Sequence, residues 1–177
     1  MLLLLNGAPG VGKSALADRY ARDHALTIVV DVDEIRRHLG GWETHHASKV
    51  VARDLALALV ADHLGRGRDV VVPQFVGRRE FADRLRSAAD DAAVRFVEVV
   101  LVDDDDAVIE RFRLRRAALR AAGVRHPEAD LVDDDIAPAI RAASAGLRRD
   151  AAAHGLPEIE MGSGVERSYA ALLACIH

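Results

Sequence analysis

The sequence predicts an α/β fold of three layers, in which a five-stranded parallel sheet is flanked by helices and carries a small lid region. Two observations lead there. Short continuous apolar runs bounded by Gly, Asp or Pro alternate with longer stretches of helical spacing, as strands covered on both faces require. A glycine-rich octapeptide stands directly between the first apolar run and the first helical stretch, where folds of this class hold phosphate.

The strands are expected at Leu2–Asn6, Thr27–Asp31, Asp69–Pro73, Val94–Val102 and Glu158–Met161. Leu2–Leu5 has no basic segment before it and meets Asn6 and Gly7 at once, so it reads as a buried strand and not as a secretory leader. Helices are expected at Gly12–Ala25, Glu34–Leu39, Ala47–Gly65, Arg78–Ala89, Asp104–Ala121, Asp134–His154 and Val165–Ile176. Val51, Leu55 and Leu59 recur at helical spacing, as do Phe81 with Leu85 and Val108 with Phe112, and each set is expected to face the core. Asp103–Asp106 opens a helix after a strand and reads as a solvated cap that suits the helix dipole, as does Asp133–Asp135. The stretch 122–135, with Gly123 and Pro127 and few large apolar residues, reads as a loop, and a lid of about 111–135 would include it.

A chain of 177 residues fits one domain, 1–177, and its 50% hydrophobic and 29% charged residues exclude a disordered or membrane-spanning class. The net charge of −4 offers no overall basic surface for nucleic acid or anionic lipid. The single cysteine, Cys175, excludes an internal disulfide and suits a reducing cytoplasm. His45 and His46 are adjacent, a poor spacing for a transition metal. Lysine occurs twice, at Lys13 and Lys49, in a chain rich in arginine.

Gly7-Ala8-Pro9-Gly10-Val11-Gly12-Lys13-Ser14 matches the Walker A pattern, with the strand before it and the helix after it that the motif requires. The glycines let backbone N–H groups face an anionic phosphate, and the following helix adds its dipole. Lys13 then bridges the β- and γ-phosphates of ATP, and the Ser14 hydroxyl binds magnesium. At the end of the second strand, strand periodicity puts Asp31 and Asp33 on one side. Two carboxylates there can divide the labour, one ordering magnesium through water and the other taking the proton of an attacking hydroxyl. The alternative for Asp33 is a helix cap. Arg36, one turn on, grips an anionic or polar group of the acceptor or is a surface arginine. Trp42 stacks on a planar acceptor or covers core. Gln74, Phe75 and Arg78, at the exit of the third strand, are expected to line the acceptor pocket.

At Gly7–Ser14, Asp31–Arg36 and Glu110–Arg116 the sequence resembles the small P-loop kinases that include chloramphenicol phosphotransferase, the zeta-toxin-like kinases, shikimate and gluconate kinases and the kinase domains of polynucleotide kinases. The resemblance implies a general-base role for Asp33 and a place near magnesium for Asp31. It makes Arg111 and Arg115, four apart and on one helical face, the lid pair that neutralises charge on the transferring phosphoryl group, with Arg111 also on the nucleotide. It sets Gly162 and Ser163 around the adenine. Family members often carry an Asp at the end of the third strand, where this chain has Gln74, which brings no charge. The function so implied is ATP-dependent transfer of a phosphoryl group to a hydroxyl of a small molecule. A polynucleotide or nucleoside kinase is the alternative, and an ATPase or switch without an acceptor stands further off. A GTPase switch is disfavoured because neither Asp-x-x-Gly after a strand nor Asn-Lys-x-Asp occurs.

Overall fold

The computed structural model describes residues 1–126 and 133–176, and all structural statements concern these. The elements follow in the order β1 (Leu2–Gly7), α1 (Lys13–Asp23), β2 (Ile28–Val29), α2 (Val32–Arg37), α3 (Ser48–Gly65), β3 (Val70–Pro73), α4 (Arg79–Asp91), β4 (Phe96–Val102), α5 (Asp105–Ala121), α6 (Asp133–His154), β5 (Glu158–Glu160) and α7 (Val165–Ile176). The strands form one parallel sheet in the order β2-β3-β1-β4-β5. β1 lies at its centre, with Leu5 opposite Pro73 on one side and Val99 on the other. The expected α/β class and five-stranded sheet are therefore observed. Pro127 and the middle of the expected lid loop lie outside the described residues.

The alternation of β1 splits the core into two layers. Leu3 and Leu5 meet Leu16, Tyr20, Phe112 and Leu172 from α1, α5 and α7. Leu2 and Leu4 meet Ala56, Val60, Phe81 and Leu85 from α3 and α4. All four leucines are fully buried, at about 1.5–3 kcal/mol each, so the strand that precedes the glycine loop is anchored by several times the energy of any single hydrogen bond. α6 adds Ile136 and Ile140 to the first layer and, through Leu147 and Ala151, closes a smaller cluster on Val100 and Val102.

Two sequence expectations change here. β2 stops at Val29, and Asp33 is the second residue of α2 instead of a strand residue. The cause is Asp31, whose carboxylate accepts from the backbone N–H groups of Asp33 at 2.9 Å and Glu34 at 3.2 Å and so starts a helix where a strand would have continued. In α3 the large stripe Val51, Leu55 and Leu59 faces outward, while Ala52, Ala56, Val60 and Leu64 are buried. Both stripes have helical spacing; the smaller one turns inward, against β3 and α4. No helix among the described residues is long and apolar enough to cross a membrane.

Candidate active site

The glycine loop follows β1 at the sheet's carboxyl edge, where ligands bind in open α/β sheets. Gly10 has φ of 88°, and a Cβ there would lie 2.9 Å from the Val108 carbonyl oxygen and 3.0 Å from Phe112 Cβ. Gly12 has φ of 114° and is the N-cap of α1, with no side chain of its own to occupy the first N–H groups of that helix. Both positions therefore need glycine, for handedness and for space. Ala8 and Val11 are buried beneath the loop. Lys13 folds over it, donating from Nζ to the carbonyls of Gly7 and Ala8, each at 3.0 Å.

A cleft of about 430 Å³ opens beside the loop. Pro9, Lys13 and Ser14 form one wall; Asp31, Val32, Asp33, Glu34 and Arg37 form a second; Pro73, Gln74 and Phe75 form a third. Lys49 and Arg53 of α3 and Arg115, Leu119 and His126 from α5 and beyond complete it. Burial is the main force that pushes the Asp31 carboxyl above the usual range; the nearby charges of Asp33 and Glu34 act the same way, while the amide bonds from Glu34 and Asp33 oppose them. An ionised Asp31 is thus held under tension that a cation would relieve. With the Ser14 hydroxyl it makes an all-oxygen donor pair suited to a hard divalent cation such as magnesium. No set of three His, Cys, Asp or Glu side chains with metal-binding geometry occurs among the described residues, so the remaining ligands would come from water and phosphate.

The third wall is fixed from beneath. Asn6, fully buried at the end of β1, donates from Nδ2 to the Val76 carbonyl at 3.3 Å and accepts from the Val76 N–H at 2.9 Å. Asn6 also donates to Glu98 at 3.3 Å, and Glu98, whose side chain is 1% exposed, is paired with Arg79 at 2.8 Å. Arg79 in turn bonds Asp150 of α6 at 3.0 Å. This network holds the turn that presents Gln74 and Phe75. The Gln74 Oε1 atom is buried without a hydrogen-bond partner, a donor-seeking group in the cleft wall.

Several expected acceptor residues lie elsewhere. Arg36 does not line the cleft: its Nε donates to Ser48 Oγ at 3.0 Å, its Nη2 to the Trp42 carbonyl at 3.3 Å, and its guanidinium lies 5.0 Å from the Trp42 ring centroid. Trp42, 7% exposed, is thereby a covering residue between α2 and α3, not a stacking platform. Arg78 is exposed ahead of α4, and its neighbour Arg79 makes the buried contact. Arg115 lines the cleft, its guanidinium 5.7 Å from the Phe112 ring centroid. Arg111 reaches the site indirectly: its Nε donates to the Gly10 carbonyl at 3.2 Å and its Nη2 to Asp103 at 2.5 Å. Asp103 is buried and so departs from the solvated cap expected of it, whereas Asp104 does cap α5, accepting from the Ala107 N–H at 2.9 Å. Gly162 and Ser163 follow β5 on the Asp103 side, outside the cleft. Sequence reading missed Arg37, Lys49, Arg53 and His126; the scarcity of lysine was a signal for Lys49.

A family model described as an AAA domain matches residues 2–133. Among solved structures, the tunicamycin resistance protein of Deinococcus radiodurans superposes with a TM-score of 0.62 at 19% identity, covering 99% of this chain and 94% of that one. The APS kinase of Mycobacterium tuberculosis, in complex with AMPPNP and APS, gives 0.59 at 15% identity, covering 99% and 96%. At these identities the likeness is one of fold. A comparison with curated proteins finds no match.

Proposed function

The chain belongs to the AAA domain family and has the fold of the small P-loop kinases, and from that premise we propose that it is a cytoplasmic, single-domain phosphotransferase that moves the γ-phosphoryl group of ATP onto a hydroxyl of a small-molecule acceptor. The observation that carries this reading is a shared cleft. The phosphate loop, the Asp31–Asp33 carboxylates and the Gln74–Phe75 turn line one cavity, so donor and acceptor can meet without leaving it.

In this reading the amides of residues 7–14 hold the phosphates and Lys13 exchanges its loop carbonyls for β- and γ-phosphate oxygens. Ser14 and Asp31 would hold magnesium, whose positive charge would offset the negative charge of the phosphates. Asp33 takes the proton of the attacking hydroxyl, its backbone fixed by the Asp31 cap. Gln74 Oε1 accepts a hydrogen bond from the acceptor. Arg115 steadies charge on the phosphoryl group in flight, and Arg111 shapes the loop through Gly10. Nucleotide contact by Gly162 and Ser163 would require the base to lie on the Asp103 side of the loop.

The test is an ADP-release screen over sugars, nucleosides, antibiotics and 5′-hydroxyl oligonucleotides, with magnesium and with Lys13→Met as the blank. The Asp33→Asn variant is expected to lose about 10²–10⁴-fold in kcat while keeping ATP affinity. Full transfer by that variant would remove Asp33 from the chemistry. Labelling of the oligonucleotide alone would move the assignment to a polynucleotide kinase, and turnover stimulated only by a protein would make the chain a switch.

A further inference from the structure

The cleft carries more positive charge than its own carboxylates use. Arg37 is committed to Glu34, with both carboxylate oxygens within 2.8 Å of Nη1, and Lys13 bonds the loop carbonyls. Lys49 and Arg53 differ. They stand one turn apart on α3, both line the cleft, and neither is paired with a carboxylate among the described residues. The contact made by Arg53 is with the Phe81 ring, 5.5 Å from its centroid. The neighbouring Asp54 is not available to either, because it pairs with Arg84 at 2.8 Å.

Other arginines of the chain also stand away from an acid, but Lys49 and Arg53 are set apart by place: they share one helical turn and both border the cleft. The chain has only two lysines, Lys13 and Lys49, and both line this cleft. Lys13 belongs to the phosphate loop, whereas α3 packs on α2 and α4 and borders the cleft beyond the carboxylates. An ATP phosphate chain seated on the loop is served by the loop amides and Lys13. A second anion would be served by α3.

We propose that Lys49 and Arg53 form a second anion site, which binds an anionic group of the acceptor, so that the phosphorylated hydroxyl belongs to a compound already bearing a phosphate, sulfate or carboxylate. This deepens the kinase reading and rests on it for the transfer step. The geometry divides the recognition. Gln74 Oε1 receives a donor from the acceptor body, Asp33 meets the hydroxyl, and the α3 pair holds the anionic end, Arg53 with a planar fork and Lys49 as a point charge.

Binding and transfer are tested separately on the full chain. Calorimetry with inorganic sulfate and inorganic phosphate on protein saturated with ADP and magnesium is expected to reveal one saturable site. Lys49→Ala and Arg53→Ala should each weaken it about 10-fold or more, Lys49→Arg should retain it, and ADP affinity should not move. ADP release is then measured with glucose, glucose 6-phosphate, glucose 6-sulfate and gluconate, and with adenosine against adenosine 5′-monophosphate, to separate the three anionic groups. Preference for one anionic form, with KM raised about 10-fold in either alanine variant and kcat held, supports the proposal. Anion binding that depends on Lys49 and Arg53 but no transfer to any compound upholds the site and counts against the kinase. The proposal is overturned if ADP-loaded protein shows no saturable anion site, if binding survives both alanine substitutions, or if neutral alcohols are used as well as their anionic partners.

Discussion

Asp103 and Arg111 are joined by an ion pair of 2.5 Å that ties the end of β4 to the phosphate loop, because the same guanidinium donates to the Gly10 carbonyl. Asp103 is buried and its other carboxylate oxygen accepts from the Asp104 N–H at 2.8 Å. Arg111→Met leaves that carboxylate one partner short. Since 45% of the Arg111 side chain is exposed, the expected cost is about 1–2 kcal/mol, toward the lower part of the range for a bond to a charged group. Urea unfolding of Arg111→Met, Asp103→Asn and the double variant should show a coupling of about 1 kcal/mol. Strict additivity would mean that the pair does not act as a unit.

Asp31 supplies a pH-dependent prediction. Its carboxyl is raised mainly by burial, so the folded state holds the proton more tightly than the unfolded chain does. The resulting stability is complete below the ordinary carboxylate value of about 3.9 and is lost as pH rises through the raised value. Asp31→Asn retains a good cap and removes the charge, though it forfeits about 0.3–1 kcal/mol of dipole interaction at the start of α2. Melting temperatures measured between pH 3.5 and 7.5 should therefore shift progressively in favour of the asparagine variant as pH rises. A shift the other way would contradict the buried-carboxylate account. Magnesium-dependent nucleotide binding should weaken in the same variant.

Glu98 is buried in the sheet, and Arg79 is its ion-pair partner at 2.8 Å. Arg79→Met is expected to destabilise by about 3–5 kcal/mol, the usual cost of leaving one member of a buried pair alone, a large share of a typical stability of about 5–15 kcal/mol. Glu98→Gln added to Arg79→Met should restore part of the loss. Thermal and urea unfolding measure both, and a double variant less stable than the single would show that Glu98 has a further cationic partner.

The first strand and its loop were fully legible, because four consecutive leucines followed by Gly7–Ser14 admit few other structures. The second strand was not. A run of Thr, Ile and Val favours β structure, but one carboxylate at Asp31 capturing two amides is enough to begin a helix. α3 misled for a different reason: two apolar stripes share its length, and pattern alone does not say that Ala52 and Ala56 will displace Leu55 and Leu59 from the interior. For Trp42 the sequence left stacking on an acceptor and covering core both open, and for Arg36 an acceptor contact and a surface place; the fold turns the two toward each other, since Arg36 donates to the Trp42 carbonyl and lies over its ring. The α3 cations were invisible as a pair until the fold showed which face of that helix borders the cleft.

The central position of β1 also governs the order of assembly. It is made before both strands that flank it, Val70–Pro73 and Phe96–Val102, which come later in the chain. At roughly 5–20 residues per second, the roughly 70 residues made before β3 keep Leu2–Leu5 unpaired for on the order of 3–14 s, and β4 follows later. Throughout that interval an uncharged tetraleucine is exposed on the nascent polypeptide.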